Sequence, residues 1–209
     1  MIRILIADDH SIVRRGLKEI LLEEFPDADI TGVSNGFELI REARNSKWNI
    51  VISDLSMPDK NGLETLKQLK EEFPKLPVLI LSMHPEDQYA IRALRAGAGG
   101  YLTKESASDE LVNAVRKIMS GRRYITPELA EKLAENLEND SAKALHETLS
   151  DREFDVLKLI ASGKTVSEIA DRLSLSVTTV STYRARILIK TRLKNNAELT
   201  VYAVENKLV

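Results

Sequence analysis

The chain has 209 residues, no cysteine, and 30 Lys and Arg against 32 Asp and Glu, for a net charge of -2. The absence of cysteine excludes disulfides, cysteine nucleophiles and cysteine zinc sites, which favours a reducing, cytoplasmic compartment. The N-terminal apolar run is short and turns acidic, and no run reaches the length of about 18 apolar residues that a membrane span needs, so we expect neither export nor membrane insertion.

The charge is distributed unevenly along the chain. Residues 1–140 hold 19 basic and 24 acidic side chains, and residues 141–209 hold 11 and 8, which gives net charges of -5 and +3. The length fits two domains of ordinary size. The basic C-terminal part favours a polyanionic partner, with ordinary surface variation as the alternative.

Short runs rich in Ile, Val and Leu alternate with segments of helical period in the first part of the chain. The runs lie at residues 2–7, 30–33, 50–53, 78–81 and 100–102. Strands that are apolar on both faces suit a parallel sheet with helices on both sides. We therefore predict a doubly wound α/β domain with five parallel strands, which ends near Gly121, a candidate helix C-cap.

Charged and hydroxyl side chains follow four of these strands. Asp8 and Asp9 follow the first strand, Asp54 the third, Ser82 the fourth and Lys104 the fifth. Ligands of such sheets bind at the carboxyl ends of the strands, so we expect these side chains to converge. Converging carboxylates need a cation, and a site made of oxygen ligands suits Mg²⁺.

The same residues can carry phosphoryl chemistry. An Asp carboxylate can attack phosphorus and form an acyl phosphate, so we predict Asp54 as the nucleophile. Lys104 would offset the charge on the phosphoryl oxygens, and the Ser82 hydroxyl would bond one of them in the modified state only. We interpret His10 as part of a helix start, because an oxygen site gains little from imidazole.

These positions resemble the receiver domains of two-component response regulators. The resemblance covers residues 1 to about 121 and is carried by Asp8-Asp9, by the segment from Asp54 through Pro58 to Gly62, by Ser82, and by Tyr101-Leu-Thr-Lys104. It implies a flavodoxin-like fold, phosphorylation at Asp54, and Mg²⁺ bound by Asp8 or Asp9, Asp54 and the Ser56 backbone carbonyl. It also implies that Lys104 pairs with the phosphoryl group, that Ser82 is the switch hydroxyl, and that Tyr101 is the aromatic that turns inward. Glu105 stands where the family has proline, so the geometry of the following loop is not carried over from the family.

A linker, predicted at residues 122–148, follows the first domain. It includes a helix at residues 127–138, opened by Thr126 and Pro127, and a polar stretch at residues 139–147. Neither His84, in a loop of the first domain, nor His146, in this linker, has a partner at motif spacing. Ser150 and Glu153 fit a capping box at the start of the next helix.

Four short amphipathic patterns predict a smaller, all-α second domain at residues 149–209. They lie at residues 154–160, 166–173, 177–189 and 197–204, and Ser174-Leu-Ser176 between the second and third fits the turn of a helix-turn-helix. The third pattern is then the recognition helix, with Val180, Ile187 and Thr191 inward. We expect DNA contacts from the small residues Thr178, Ser181, Thr182 and Ala185, and from the basic residues Arg184, Arg186 and Lys190. The alternative is a solvated basic face on a helical bundle.

This region closely resembles the LuxR-type DNA-binding domain. The resemblance spans residues 149–208 and rests on Leu149-Ser-Asp-Arg-Glu153, Gly163-Lys, Glu168-Ile-Ala170 and Thr179-Val-Ser-Thr-Tyr-Arg184. Ser181 and Tyr183 replace a lysine and a histidine that many members have, so only the docking mode carries over. With a receiver it implies the NarL/FixJ class, in which a histidine kinase phosphorylates the receiver and so controls dimerisation, binding to double-stranded DNA and transcription. RNA polymerase is a further candidate partner.

Two other functions remain open from the residues. A Mg²⁺-dependent phosphatase with an aspartyl-phosphate intermediate uses similar carboxylates, but it needs an acid two residues after its nucleophile, where Ser56 stands. Alternatively, the first domain could be an interaction module that is never phosphorylated. The complete acidic pocket argues against this second function.

Overall fold

The computed structural model describes residues 1–57, 62–83, 86–138 and 144–209. Its contacts divide the chain into two compact units, residues 1–135 and 136–209. The division falls inside the predicted linker, and the domain bounds given above stay a prediction. No helix in the described part of the chain is long and apolar enough to cross a membrane.

A parallel sheet of five strands forms the centre of the first unit, which confirms the predicted fold class. Its strands are β1 (Arg3–Ala7), β2 (Asp29–Val33), β3 (Ile50–Asp54), β4 (Val78–Ser82) and β5 (Gly100–Thr103). Each lies within one residue of its predicted ends. The order β2-β1-β3-β4-β5 places β1, β3 and β4 side by side.

Helices cover both faces of this sheet. They are α1 (Ser11–Glu24), α2 (Gly36–Asn45), α3 (Gly62–Glu72), α4 (Glu86–Arg95) and α5 (Ala107–Met119). Leucines of α1 and α5 join one core with Ile4, Ile52 and Leu79. The alternate strand residues Leu5, Val51 and Ile80 are also 0% exposed, so both faces are buried, as the continuous apolar runs require.

The end of α5 turns back onto the sheet. Gly121 lies one position beyond the C-cap with φ +82°, and the N–H groups of Gly121 and Arg122 donate to the carbonyls of Ile118 and Lys117, at 3.0 and 3.2 Å. These two bonds make a Schellman ending. Tyr124 then forms a bridge with Gly100 at the edge of β5, and its N–H donates to the Gly99 carbonyl at 2.8 Å.

The second unit is helical, as predicted. After α6 (Pro127–Glu138) come a 3-10 helix (Leu145–Thr148), α7 (Asp151–Ala161), α8 (Val166–Leu173), α9 (Val177–Thr191) and α10 (Asn196–Glu205). The predicted capping box opens α7: the Ser150 N–H donates to Glu153 Oε2 at 2.7 Å and the Glu153 N–H to Ser150 Oγ at 3.4 Å. Residues 139–143, in the predicted polar stretch, lie outside the described residues.

Replacing Gly100 with alanine should destabilise the first unit. The new Cβ would lie 2.9 Å from Tyr124 Cβ and 3.0 Å from the Tyr124 carbonyl oxygen, so backbone must move. Overpacking of this kind costs about 1–3 kcal/mol, measurable by urea unfolding. Gly16→Ala is the control: nothing lies within 4 Å of its Cβ in the middle of α1, so it should stabilise. A Gly100→Ala chain as stable as the original would contradict the close contact.

Candidate functional site

The structure brings the predicted acidic and basic residues to one edge of the sheet. Ala7 pairs with Ser53, so Asp8 leaves β1 level with Asp54 at the end of β3. Asp54 pairs with Leu81, and Ser82 pairs with Thr103, which directly precedes Lys104. The parallel register alone therefore aligns the carboxyl ends of the three central strands and β5.

A buried ion group links three of these side chains. Lys104 Nζ lies 2.7 Å from Asp8 Oδ2 and 2.7 Å from Asp54 Oδ2. The lysine side chain is 10% exposed and the two carboxylates are each 1% exposed. One ammonium therefore serves two buried carboxylates, and the group keeps an excess of negative charge.

Burial and this shared ammonium set the protonation of the group. Burial raises the pKa of the Asp54 carboxyl, and it outweighs the hydrogen bonds from Lys104 and the Ser56 N–H. The neighbouring Asp8 charge raises it further. Burial opposes the charge of Lys104, but its hydrogen bonds to Asp54 and Asp8 prevail and raise its pKa, so the ammonium stays protonated.

The arrangement fits a divalent cation. Asp8, Asp9, His10 and Asp54 each offer a ligand atom, and these atoms lie within 4.8 Å of one another. Asp8 Oδ2 is buried without a hydrogen-bond donor, apart from its ion pair with Lys104. The carboxylate oxygens of Asp8, Asp9 and Asp54 are the ligand atoms that a hard cation such as Mg²⁺ prefers.

His10 has two roles in the structure. It is the N-cap residue of α1, as its predicted place at a helix start implies, although its side chain makes no capping bond. Its Nδ1 lies 2.9 Å from Asp9 Oδ1 and 3.2 Å from Asp8 Oδ1. The imidazole thus borders the acidic cluster formed by the pair that it directly follows in the sequence.

The loop after β3 is held close to Asp54. The Ser56 N–H donates to Asp54 Oδ1 at 3.1 Å, and the predicted carbonyl ligand from Ser56 stays a prediction. Residues 58–61 of the resemblance motif lie outside the described residues, as does His84. Gly62 is the first residue of α3, and a Cβ built on it would lie 2.5 Å from Leu55 Cα. Only glycine therefore fits this approach.

Both predicted switch residues lie inside the first unit. Ser82 and Tyr101 are each 0% exposed. Ser82 is one residue beyond Leu81, the register partner of Asp54, and Tyr101 pairs with Ile80 on the neighbouring strand. Tyr101 is therefore buried on the strand next to β4, which ends at Ser82, and the switch roles of both residues stay predictions.

The second unit contains the predicted helix-turn-helix. Ser174, in the left-handed conformation with φ 53°, ends α8, and the Ser176 hydroxyl caps α9 by accepting the Thr179 N–H at 3.0 Å. Val180, Ile187 and Thr191 are at most 1% exposed, which confirms the inward stripe. The predicted contact residues Thr178, Ser181, Thr182 and Ala185 are all exposed on α9.

The three predicted basic contacts differ in their surroundings. Arg186 is exposed and lines a shallow concavity with Thr178, Thr182 and Tyr183. Arg184 is half-buried, and its Nε donates to Asn196 Oδ1 of α10 at 2.6 Å. Lys190 Nζ lies 2.6 Å from Glu153 Oε2, so its ammonium is already engaged within the unit.

Besides the pairing of Lys190 with Glu153, two features of the second unit were missed from the sequence. Thr165 and Glu168 form another capping box at the start of α8, and their spacing, the same as that of Ser150 and Glu153, could have revealed it. His146 Nδ1 lies 2.8 Å from the Tyr202 hydroxyl. No sequence spacing indicates the contact of His146 with Tyr202, because the two residues are 56 positions apart.

Comparisons with known proteins agree with this two-part organisation. Residues 4–116 match the family model of the response regulator receiver domain, and residues 147–203 match that of the bacterial regulatory proteins of the luxR family. The response regulator GacA of Pseudomonas protegens is 37% identical over 100% of this chain and 98% of its own length.

Solved structures of a second regulator are also similar over the whole chain. RcsB from Salmonella enterica serovar Typhimurium, bound to promoter rprA in the presence of phosphomimetic BeF3-, has a TM-score of 0.64 at 29% identity, covering 97% of this chain and 98% of that one. A structure of two RcsB dimers bound to two parallel DNAs has a TM-score of 0.59 at 29% identity, with the same coverage.

Replacing Lys104 with methionine should destabilise the first unit at neutral pH by about 3 kcal/mol, because it leaves two buried carboxylates without their cation. The loss should shrink as the pH falls, since the raised pKa of Asp54 lets its carboxyl take up a proton above its usual range. Adding Mg²⁺ should raise the melting temperature of this variant more than that of the original chain.

Lys18→Met provides the control, because it removes one exposed positive charge from α1. Melting curves with and without Mg²⁺, at several pH values, compare the three chains. Equal responses from the Lys104 and Lys18 variants would show that the buried ion group has no special role.

Proposed function

Because the chain belongs to the NarL/FixJ class of two-component response regulators, which join a receiver to a LuxR-type DNA-binding domain, we propose that phosphorylation of Asp54 controls DNA binding by its second unit. The observation that carries the proposal is the buried group in which Lys104 Nζ contacts both Asp8 and Asp54 at 2.7 Å. It combines a nucleophile, a cation and excess negative charge at one sheet edge.

Asp54 is the phosphoacceptor in this proposal. A carboxylate oxygen of Asp54 attacks the phosphorus of a phosphohistidine on a cognate histidine kinase, and the bond from phosphorus to the histidine nitrogen breaks. Lys104, already placed at Asp54 Oδ2, moves with the transferred charge and pairs with the phosphoryl oxygens. The carboxylate of the resting group becomes an acyl phosphate.

Asp8, Asp9 and Asp54, with the Ser56 carbonyl, would hold Mg²⁺ beside this group. Bound there, the ion would neutralise charge on the phosphoryl oxygens during transfer. His10 lies at the rim of the cluster and is not needed for a hard cation. The excess negative charge around Lys104 supports the assignment.

Ser82 and Tyr101 form the proposed switch. The Ser82 hydroxyl, at the strand end beside Asp54, hydrogen-bonds a phosphoryl oxygen in the modified state. Tyr101, on the adjacent strand, is held inward when Ser82 is drawn to the phosphate. Phosphorylation shifts the equilibrium only by the extra stability that these contacts give one state.

The DNA-binding surface is the exposed face of α9. Thr178, Ser181, Thr182 and Ala185 present small side chains that let the helix approach base edges in the major groove. Arg186 and Arg184 flank this face and would reach phosphates or a guanine, and Lys190 is the third basic candidate. The proposed binding to double-stranded DNA places the activity in the cytoplasm.

Dimerisation, transcriptional control and contact with RNA polymerase complete the proposal. The RcsB dimers bound to DNA support the phosphorylated chain acting as a homodimer, since two copies can occupy paired half-sites. We propose no enzymatic turnover of phosphate esters. The rival phosphatase needs an acid at position 56, and Ser56 instead donates its N–H to Asp54.

Phosphorylation should strengthen DNA binding by about 5- to 150-fold, the usual range of coupling between two sites. The full chain is treated with acetyl phosphate and Mg²⁺, and its affinity is measured for a duplex that it selects from a random pool. Asp54→Asn should abolish the gain, and Asp27→Asn, which changes an exposed Asp after α1, should keep it.

A gain that survives Asp54→Asn would refute the proposed phosphoacceptor. Multiple turnovers of p-nitrophenyl phosphate would support the phosphatase instead. DNA affinity that acetyl phosphate leaves unchanged would favour the unphosphorylated interaction module.

A further inference from the structure

A buried carboxylate connects the recognition helix to the first helix of the second unit. The Glu153 side chain is only 2% exposed, although it carries a charge. Its Oε2 accepts two hydrogen bonds, from the Ser150 N–H at 2.7 Å and from Lys190 Nζ at 2.6 Å. One oxygen thus joins the capping box of α7 to the last turn of α9.

This pairing determines the charge state of Glu153. Burial opposes ionisation, but the hydrogen bonds from Lys190 and Ser150 outweigh it and lower the pKa of Glu153. An ionised carboxylate in such a place depends on its cation, because removing one partner leaves an uncompensated buried charge. The Lys190 side chain is 41% exposed, but its ammonium is paired with this buried carboxylate, so Lys190 has a task within the unit.

The position of Lys190 on the helix agrees with an internal task. At 3.6 residues per turn, Lys190 lies about 130° around α9 from the centre of the small-residue face. Its neighbours Ile187 and Thr191, on the inward stripe, are at most 1% exposed. Arg186, in contrast, is exposed and lines the concavity on α9 with Thr178 and Thr182.

We propose that Lys190 is a positioning residue, which sets the placement of the recognition helix against α7 through Glu153 instead of binding a DNA phosphate. The inference rests on the proposed DNA-binding function and revises the role predicted for Lys190. The carboxylate fixes the C-terminal turn of α9, and the packed Val180 and Ile187 fix its other turns. Together they orient the small-residue face.

Salt dependence separates the two roles of a lysine. Each phosphate contact contributes about 0.9 to the slope of log affinity against log salt concentration. Affinity is measured for the full chain, treated with beryllofluoride and Mg²⁺, on a duplex selected from a random pool by the unsubstituted chain. Lys190→Met should weaken DNA binding roughly tenfold, which is the usual size of an energetic coupling between two sites. The slope of log affinity against log salt concentration should stay unchanged. Arg186→Met, the matched control, should flatten the slope.

Rescue tests the pairing itself. Lys190→Arg should retain affinity, because it keeps the charge. Glu153→Gln combined with Lys190→Met should bind more tightly than Lys190→Met alone, since no unpaired charge remains buried. Circular dichroism fixes a temperature at which every variant is folded. If Lys190→Met does not fold, the double variant is compared with Glu153→Gln alone instead. The two chains should then bind the duplex with equal affinity, because neither contains the Glu153 carboxylate.

Three outcomes would overturn the inference. The first is a salt slope that Lys190→Met flattens as much as Arg186→Met does, and the second is a double variant that binds DNA no more tightly than Lys190→Met. The third, where Glu153→Gln is the reference, is a double variant that binds DNA more weakly than Glu153→Gln. Each would mean that Lys190 acts on DNA directly. If the unsubstituted chain binds no duplex at all, the proposed function fails, and the positioning role falls with it.

Discussion

The contact of one buried ammonium with two buried carboxylates is the constraint on which the first unit depends. Lys104 Nζ holds Asp8 and Asp54 at 2.7 Å, and this group exists only because parallel strands β1, β3 and β5 end at the same edge. Burial of the apolar strand residues determines the register of the parallel strands, and this register brings Asp8, Asp54 and Lys104 together. The chemistry of Asp54 thus follows from a packing arrangement that excludes water from the carboxylates.

A similar solution appears in the second unit. There the buried carboxylate of Glu153 is balanced by Lys190, and the pair joins two helices, whereas the Lys104 group joins the ends of three strands. The functional consequences differ, because the first group is left with excess negative charge that can recruit a cation, whereas the second is closed by a cap and one lysine. A balanced pair suits a fixed scaffold, and an unbalanced group suits a site that must accept a new charge.

Local and periodic features were predictable from the sequence, whereas contacts across long separations were predictable only where the strand topology implies them. The strand ends, the inward stripe of α9 and the Ser150 cap follow from hydrophobic period and short spacing, so they were predicted closely. The convergence of Asp8, Asp54 and Lys104 was also accessible, because parallel topology implies it. The engagement of Lys190 was missed, since a basic residue on a helix gives no sign of a carboxylate 37 positions away. The contact of His146 with Tyr202 was missed for the same reason.

Chemical trapping locates the phosphorylated residue of this chain. After treatment of the full chain with acetyl phosphate and Mg²⁺, borohydride reduces an aspartyl phosphate to homoserine, which peptide mass spectrometry locates. If Asp54 is the phosphoacceptor, homoserine is expected at position 54 alone. Homoserine at position 8 or 9, or phosphate retained on a hydroxyl side chain with position 54 unchanged, would contradict it.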